Sequence, residues 1–286
     1  MNTMKWILRN QTILPRGETA VDIDDRGYQF GDGIYEVVRL YGGEPFLMRP
    51  HLDRLRRSAR ELGMKADLDN GVLEENFRQL AEKEGVSTGI LYMQVTRGVY
   101  QRVQEFPPAD LPVQLTAYAK PMERPAEALR QGVAVWLVPD IRWLRCDIKS
   151  LNLIPNVMAR QQAKEHDCLE ALQHRGDMVT EGAFSNVFLV SGGKVRTHPE
   201  GNLILSGITR AHVLSLCEQA KISVDERAFS VNELLSAEEV FITSTSNEVM
   251  PVVRVGDAVI GTGEPGPVTR NLQGLYEESF GMVTKN

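Results

Sequence analysis

The order of helical and strand-like segments constrains the fold of this chain more than any other feature of its 286 residues. Apolar residues at helical spacing predict a helix over residues 53–63 and a second from about Leu73 to Glu84. Alternating apolar residues then predict three strands, over Gly89–Thr96, Val113–Ala119 and Val133–Val138. Two helices followed by a run of strands do not form a regular βαβ series.

The second half of the chain mixes the two patterns in another order. We expect the following elements: helices near residues 157–166 and 208–220, a hairpin of 185–190 and 195–197, a strand at 240–243, and a hairpin turning at 256–257. This order predicts an α+β protein with sizeable antiparallel sheets, not a doubly wound fold.

A polar stretch interrupted by prolines, AKPMERPAEAL, lies between the two halves. Such stretches are typical of domain boundaries. We therefore expect a small N-terminal α/β domain over residues 1–120, a linker at 121–126 and a larger C-terminal domain over 127–286.

Composition excludes several classes of protein. The net charge of -6 argues against nonspecific nucleic-acid binding, and no apolar run approaches the roughly 18 residues of a membrane span. The N-terminus lacks the apolar core and cleavage site of an export signal. Three cysteines without metal-ligand spacing fit a reducing cytoplasm, and we expect neither a disulfide scaffold nor a metal site.

Two ionisable residues are candidates for catalytic chemistry. Lys149 follows an apolar stretch and alternates with its neighbours like a strand residue. It is either an ordinary strand lysine, with Asp147 as its ion-pair partner, or a Schiff-base lysine on a rigid element. Glu181 precedes a glycine and a turn, so it is either a loop carboxylate facing water or a buried carboxylate that keeps a pyridine nitrogen protonated.

Two further segments have the composition of an anion-binding site. Ser206-Gly207 leads into a helix whose first residues are Ile208 and Thr209, and the free N–H groups of a helix start favour phosphate. The ordinary interpretation is a serine N-cap. A hydroxyl-rich run that includes Ser244 and Thr245 follows an apolar strand and closes such a site only if the two segments converge.

Residues of the first half provide cations and an aromatic ring. Arg54 and His51, on the first predicted helix, are candidates for the same phosphate, although arginines at such positions are more often solvated. Tyr35 follows a glycine-rich bend and is either core or active-site wall. Arg102, in a long polar loop after a strand, is either a surface charge or a bidentate partner of a substrate carboxylate.

Together and in this order, these segments resemble one family over nearly the whole chain, from about Trp6 to Tyr276. The chain resembles the fold-type IV PLP-dependent aminotransferases, and within them the subgroup that acts on D-amino acids, in these motifs: GYQFGDGIYEVVRLY, HLDRL, VTRG, DIRWLRCDIKSLNL, TEGAFSNVF, SGITR and TSTSNEVMPV. The lysine motif is the most specific, because branched-chain aminotransferases and aminodeoxychorismate lyases of this fold usually differ there.

The resemblance implies a two-domain α+β fold, pyridoxal 5'-phosphate as cofactor, and ping-pong transamination between a D-amino acid (D-alanine, D-glutamate) and a 2-oxo acid (2-oxoglutarate, pyruvate). It implies that Lys149 forms the Schiff base and moves the proton, and that Glu181 pairs with the pyridine nitrogen. It further implies a phosphate cup and a residue packed on the cofactor ring; the cup is Arg54, Ile208, Thr209, Ser244 and Thr245, and the packing residue is Leu205.

For the substrate, the resemblance implies that Tyr35 helps to hold the carboxylate and that Arg102 enters the active site of the neighbouring subunit of a homodimer. The subgroup typically has histidine two residues after this arginine, where this chain has Gln104. Glutamine donates a hydrogen bond but brings no positive charge, which places substrate preference in question. Ala183 and Phe184 also replace small hydroxyl residues, and Phe184 could reshape the wall near the cofactor.

Four alternatives remain open at this point. A branched-chain L-aminotransferase shares the cofactor, but the Arg102 loop disfavours it. An (R)-selective amine transaminase does not need the carboxylate trap, so the loss of the histidine keeps it open. A lyase of the aminodeoxychorismate type would release pyruvate without an amino acceptor. A non-catalytic PLP-binding homologue would have no need for both Lys149 and Glu181.

Overall fold

The computed structural model describes residues 4–66 and 69–283, which form two compact units. The first unit ends at Glu123 and also takes in the short segment Ile148–Asn152. The second consists of Arg124–Asp147 and Leu153–Met282. Lys149 therefore belongs to the first unit, although in sequence order it falls among residues 127–286. Across the described ranges, no helix is long and apolar enough to cross a membrane.

The first unit is an antiparallel sheet with helices. Its strands are β1 (Trp6–Arg9), β2 (Thr12–Pro15), β3 (Gly33–Tyr41), β4 (Glu44–Phe46), β5 (Gly89–Thr96) and β6 (Gln114–Pro121). Its helices are α1 (Arg26–Phe30), α2 (Met48–Glu61) and α3 (Asn70–Glu84), with a 3-10 turn at Arg16–Glu18. The strands lie in the order β2-β1-β6-β5-β3-β4.

Alternation along the strands decides which face of this sheet is covered. In β5, Leu91, Met93 and Val95 are buried in the core, whereas the residues between them are only half-buried. The core face packs against α2, which contributes Leu52 and Leu55. The opposite face of the sheet is the one that carries Tyr35, because side chains two residues apart on a strand share a face.

Capping residues account for the ends of α3. The side chain of Asp69 accepts a hydrogen bond from the Val72 N–H (3.0 Å), and Gly85 ends the helix in the left-handed conformation (φ 74°). The first predicted helix is longer than expected, because α2 begins at Met48. Pro50 lies in its first turn, where a missing N–H removes no helical bond.

The second unit is built around a nine-stranded sheet. Its strands are β7 (Val133–Pro139), β8 (Glu170–Arg175), β9 (Met178–Gly182), β10 (Asn186–Ser191), β11 (Lys194–Thr197), β12 (Val224–Glu226), β13 (Glu239–Ser244), β14 (Glu248–Val255) and β15 (Ala258–Val259). Its helices are α4 (Ala126–Gln131), α5 (Ile154–Glu165), α6 (Ile208–Gln219), α7 (Val231–Leu235) and α8 (Pro267–Val283).

The sheet order is β12-β11-β10-β13-β14-β7-β8-β9, with β15 paired to β14. Most neighbours are antiparallel, but β7 runs parallel to both β8 and β14, and β11 runs parallel to β12. A core of apolar residues that includes Val187, Leu189 and Ile242 fills this unit. The antiparallel register of β10 and β13 places Asn186 opposite Thr243, which matters for the site below.

One local prediction differs from the structure. The segment around Lys149 was expected to alternate like a strand, but it lies outside the named strands and makes a single antiparallel bridge, between Ser150 and Ile34. The segment meets only the first residues of β3, so no continuous ladder forms.

Candidate active site

The backbone around Lys149 is fixed at the beginning of β3. The Tyr35 N–H donates to the Lys149 carbonyl (3.0 Å), and the Leu151 N–H donates to the Gly33 carbonyl (2.9 Å). On the other side, the Lys149 N–H donates to the Ser58 hydroxyl of α2 (3.3 Å). The lysine is thus held between a strand and a helix, as a rigidly placed nucleophile requires.

The Lys149 amine lies against an aromatic ring. Its Nζ atom is 4.3 Å from the ring centroid of Tyr35, and the lysine itself is only partly exposed. Tyr35 stacks with Tyr92 at 5.9 Å, and Tyr92 stacks with Tyr118 at 5.0 Å. Burial raises the pKa of Tyr92, so its phenol stays neutral at physiological pH. The face of the sheet next to Lys149 is therefore aromatic.

A buried carboxylate on β3 organises the cations of α2. Glu36 accepts two hydrogen bonds from Arg54, at 2.7 and 2.8 Å, and one contact from the Nδ1 atom of His51, at 2.7 Å. Burial alone would raise the pKa of Glu36, but Arg54 and His51 together hold this pKa well below its usual range. Burial lowers the pKa of His51, and the positive charges of Arg54 and Lys149 lower it further. The negative charge of Glu36 acts in the opposite direction. The net direction favours the neutral ring of His51.

This arrangement changes the interpretation of α2. Arg54 and His51 are both buried and engaged by Glu36, so Arg54 is not the solvated residue that the ordinary interpretation of the sequence expected. The role of Arg54 towards a phosphate stays a prediction. Sequence reasoning missed Glu36, although a lone carboxylate among the core residues Ile34 and Val38 was a signal of a buried charge with a partner.

In the second unit, Glu181 is a buried strand residue on β9, not a water-facing loop carboxylate. Its Oε2 atom accepts from the Asn186 amide (3.0 Å) and from the Leu205 N–H (3.0 Å). Its Oε1 atom accepts from Arg142. A carboxylate has about four acceptor positions, so Oε1 has capacity for a further N–H donor.

The partners of Glu181 form an extended charge network. Arg142 also binds the buried Asp140 (2.8 Å), which accepts from Arg175 (3.0 Å) and Thr180 (3.0 Å) as well. Burial raises the pKa of Glu181 and Arg142 lowers it, and the net direction is upward. The pKa of Asp140 is lowered, because the two arginines outweigh its burial. Of the two carboxylates, Glu181 is thus the one whose charged form its surroundings leave less stabilised.

The N-terminus of α6 faces the same side chain that supports Glu181. Its N-cap is Gly207, not the serine of the ordinary interpretation, and glycine has no side chain with which to cap the first N–H groups of the helix. A Cβ atom at Gly207 would lie 2.0 Å from Oδ1 of Asn186. The Asn186 amide also donates to the Leu205 carbonyl (2.9 Å).

The pairing of β10 with β13 places the hydroxyl-rich segment next to Asn186. Thr243 pairs with Asn186 across β10 and β13, and Ser244 ends β13. Thr245 follows in the turn, where the Asn247 N–H donates to the Ser244 hydroxyl (3.1 Å). Within the part of the chain that the structure describes, the buried Thr243 hydroxyl has no hydrogen-bond partner. Each of the two segments suggested as a cup therefore has one residue beside Asn186, namely Gly207 and Thr243, and Asn186 is a residue that sequence reasoning did not single out.

The remaining predicted residues lie elsewhere in their units. Arg102 and Gln104 are exposed in the loop between β5 and β6, beside Phe30. In the second unit, Ala183 is buried, and its carbonyl accepts from Asn156 (2.6 Å). The Phe184 side chain is exposed. Asp147, proposed as a partner of Lys149, accepts two hydrogen bonds from Arg145 at 3.0 and 3.1 Å.

The fold has two sheet-based units. One holds a lysine anchored at a strand, and the other holds a buried carboxylate beside a helix N-terminus. Together these features define a class of enzyme. Residues 33–255 match the model of the family described as amino-transferase class IV, and the chain belongs to this family. Enzymes of this class use PLP, and this chain is a PLP-dependent aminotransferase. The predicted α+β, fold-type IV architecture is confirmed.

Curated relatives are more specific about the subgroup. The chain is 45% identical over 274 residues to D-alanine aminotransferase of Bacillus licheniformis, which covers 96% of each chain. It is 42% identical over 275 residues to D-alanine aminotransferase of Staphylococcus aureus strain MSSA476, covering 96% of this chain and 98% of the relative. The branched-chain amino acid aminotransferase of Escherichia coli has a similar structure, with a TM-score of 0.90 at 25% identity, covering 96% of this chain and 94% of that one.

The residues present fit the parts of PLP individually. Oε1 of Glu181 has acceptor capacity for the N–H of a protonated pyridine ring. The glycine-capped start of α6 offers backbone N–H groups to a phosphate. Lys149 is a rigidly placed primary amine, the group that forms a covalent bond with an aldehyde.

Proposed function

We propose that this aminotransferase transfers the amino group of a D-amino acid, such as D-alanine or D-glutamate, to a 2-oxo acid such as 2-oxoglutarate or pyruvate. The observation that carries the proposal is the similarity to D-alanine aminotransferases along 96% of the chain. The loop that presents Arg102 supports it, because an exposed guanidinium is suited to a carboxylate-bearing substrate.

In this proposal the second unit holds the cofactor at both ends. Glu181 keeps the pyridine nitrogen protonated, and Leu205 packs against the ring. The phosphate accepts hydrogen bonds from the backbone of Ile208 and Thr209 and from the hydroxyls of Thr209, Ser244 and Thr245. Arg54 of the first unit is the proposed cation of the phosphate cup. When bound, the cofactor supplies an electron sink for the negative charge that develops at the substrate α-carbon.

Lys149 is the proposed base and acid. Its Nζ atom would take the α-proton of the substrate as a neutral amine and, as the ammonium it then becomes, would give that proton to the cofactor carbon. The aromatic ring of Tyr35 beside Nζ excludes water from one side of the amine. Tyr35 is also the proposed donor to the substrate carboxylate.

The substrate carboxylate is the proposed target of Arg102, with Gln104 as a neutral hydrogen-bond donor. We propose that these residues act in the neighbouring subunit of a homodimer, which agrees with their exposure in the isolated chain. We also propose that the enzyme works in the cytoplasm, since its three cysteines are free.

A donor panel tests the substrate class. Purified holoenzyme is given D-alanine, D-glutamate, L-leucine or 1-phenylethylamine of R configuration, each with 2-oxoglutarate and with pyruvate. We expect the visible absorbance of the cofactor to bleach, and turnover to follow, with the D-amino acids only. Turnover with L-leucine would support a branched-chain enzyme, turnover with the amine would support an amine transaminase, and either result without D-amino acid turnover overturns the proposal.

Substitution of the lysine tests the chemistry. Lys149→Ala should abolish the absorbance of covalently held cofactor and reduce kcat by a factor of 10⁴ or more, since acid–base and covalent catalysis are both lost. The matched control is Lys194→Ala, a surface lysine on β11, which should leave both unchanged. Normal turnover of Lys149→Ala would contradict the assignment.

A further inference from the structure

The ring of Phe30, the last residue of α1, contacts two arginines. The guanidinium carbon of Arg102 lies 4.7 Å from the ring centroid, and that of Arg26 lies 4.8 Å from it. Within the described ranges 4–66 and 69–283, Arg102 forms no ion pair, and its guanidinium lies over the aromatic ring of Phe30. A cation over a ring is attracted by the face of the π system, which leaves the N–H donors at the edge of the guanidinium available.

The backbone beneath Arg102 is anchored independently. The Nη1 atom of Arg26 donates to the carbonyl of Val103 (2.7 Å), the residue between Arg102 and Gln104. Asp32 holds Arg26 through its Nε atom (2.8 Å). The guanidinium of Arg26, together with the backbone bond from the Tyr100 N–H to the Asp24 carbonyl (3.1 Å), thus holds the loop from which both side chains project.

The one carboxylate in this group is already neutralised. Asp32 accepts from Arg26 and also from Arg97 (2.7 Å), and all three side chains are almost fully buried. Arg97 in turn donates to the carbonyl of Leu62 (2.8 Å). Because two cations share Asp32, this carboxylate does not compete with a ligand for Arg102.

We infer that Phe30 is a positioning residue for the substrate carboxylate: its ring orients Arg102 without neutralising it, while Arg26 fixes the loop at Val103. This inference rests on the proposed function, in which Arg102 binds a carboxylate. A carboxylate on a protein side chain would orient the guanidinium equally well but would occupy its bidentate edge. An aromatic ring orients the cation and leaves that edge open.

The test compares Phe30→Leu with the parent holoenzyme. Removing the ring should raise KM for D-alanine and weaken the binding of propionate, an unreactive carboxylate, by about two- to five-fold, equivalent to about 0.5–1 kcal/mol. The turnover number should change little, since the reacting atoms are untouched. Phe30→Tyr keeps the aromatic face and should retain the parent values. Tyr28→Leu, an aromatic-to-leucine change at an exposed position of the same helix, is the matched control and should have no effect.

A double substitution separates positioning from a general effect on the fold. In an Arg102→Gln background, Phe30→Leu should cause no further loss of kcat/KM for D-alanine, because its effect passes through the guanidinium. An equal loss in both backgrounds, or no loss in the parent, overturns the inference. Thermal melting of each variant identifies any that fails to fold, and Phe30→Tyr then carries the comparison: a two- to five-fold rise in its KM would overturn the inference.

Failure of the proposed function can be distinguished from failure of this inference. If the proposed function is wrong, the unsubstituted enzyme shows no turnover of D-alanine before any variant is made. If the parent turns over D-alanine and the Phe30 variants behave as Tyr28→Leu does, the proposed function stands and the positioning role alone is refuted.

Discussion

Replacing Glu36 with glutamine perturbs the most deeply buried charge network of the first unit. The Glu36 side chain is fully buried and receives three short contacts, two from Arg54 and one from His51, at 2.7 to 2.8 Å. Glutamine has almost the same shape, so the change leaves packing intact. It removes the negative charge and turns one acceptor into an NH2 donor, which then faces the donors of Arg54 or His51.

The size of the effect follows from these contacts. The one carbonyl oxygen that remains keeps at most two of the three bonds, both at the Oε2 position, so at least one bond is lost, at about 1.5–3 kcal/mol for a bond to a charged group. The guanidinium of Arg54 is also left buried without its counter-charge, and breaking a buried pair in this way typically costs about 3–5 kcal/mol. We expect Glu36→Gln to lower the free energy of unfolding of the first unit by about 3–5 kcal/mol.

Urea unfolding followed by tryptophan fluorescence measures this loss. Trp6 packs against the core of the first unit, so it becomes a reporter of that unit when Trp136 and Trp143 are replaced by phenylalanine. The matched control is Glu75→Gln, which breaks an exposed i,i+3 pair on α3 and should cost less than about 1 kcal/mol.

The pH dependence has a definite sign. The pKa of Glu36 is lowered on folding, so its contribution is fully present above the ordinary value of about 4.5 and declines as pH falls below that value. The advantage of the parent over Glu36→Gln should therefore be constant near neutral pH and shrink in acid. If Glu36→Gln and Glu75→Gln unfold at the same urea concentration at pH 7, the argument for a buried organising charge is refuted.

Two further predictions concern the second unit. Gly207→Ala should weaken cofactor binding at least tenfold, measured by equilibrium titration of the apoenzyme, because the added Cβ would lie 2.0 Å from Oδ1 of Asn186; Gly201→Ala, where a Cβ meets nothing within 4 Å, should bind normally. Burial raises the pKa of Cys146 and of Cys217 to about 11, so neither thiol should react with iodoacetamide at pH 8 until the protein is unfolded, and rapid labelling of the native enzyme would contradict the burial described for them.

The sequence predicted helices and strands well where the apolar residues of a segment follow a clear period. Strand β5 was predicted with the bounds that the structure has, Gly89–Thr96, because strict alternation gives a pattern that is readable along the chain. The start of α2 was placed late, at residue 53, whereas the helix begins at Met48 and carries Pro50 in its first turn, where proline is tolerated.

The features of the fold and of the candidate site that could not be predicted from the sequence depend on contacts between residues far apart in the chain. The partners of Glu36 lie 15 and 18 residues away on another element, and nothing local indicates that a strand carboxylate will meet them. Lys149 lies outside a strand because its segment pairs only with the beginning of β3, more than 100 residues earlier in the chain. Motif resemblance named the candidate site residues, whereas their supporting partners, such as Arg142, required the structure.

Asn186 has a consequence for the part of the proposed catalytic cycle in which Lys149 would not be attached to the cofactor. Its single amide group contacts Glu181 and the Leu205 carbonyl, and its oxygen lies against Gly207 at the start of α6. The proposed pyridine partner and the proposed phosphate site are therefore kept at a constant separation by one side chain. We expect this spacing to determine how long the enzyme retains its cofactor between half-reactions, so that loss of cofactor during turnover, not loss of the chemical step, is the principal defect of an Asn186→Ala enzyme.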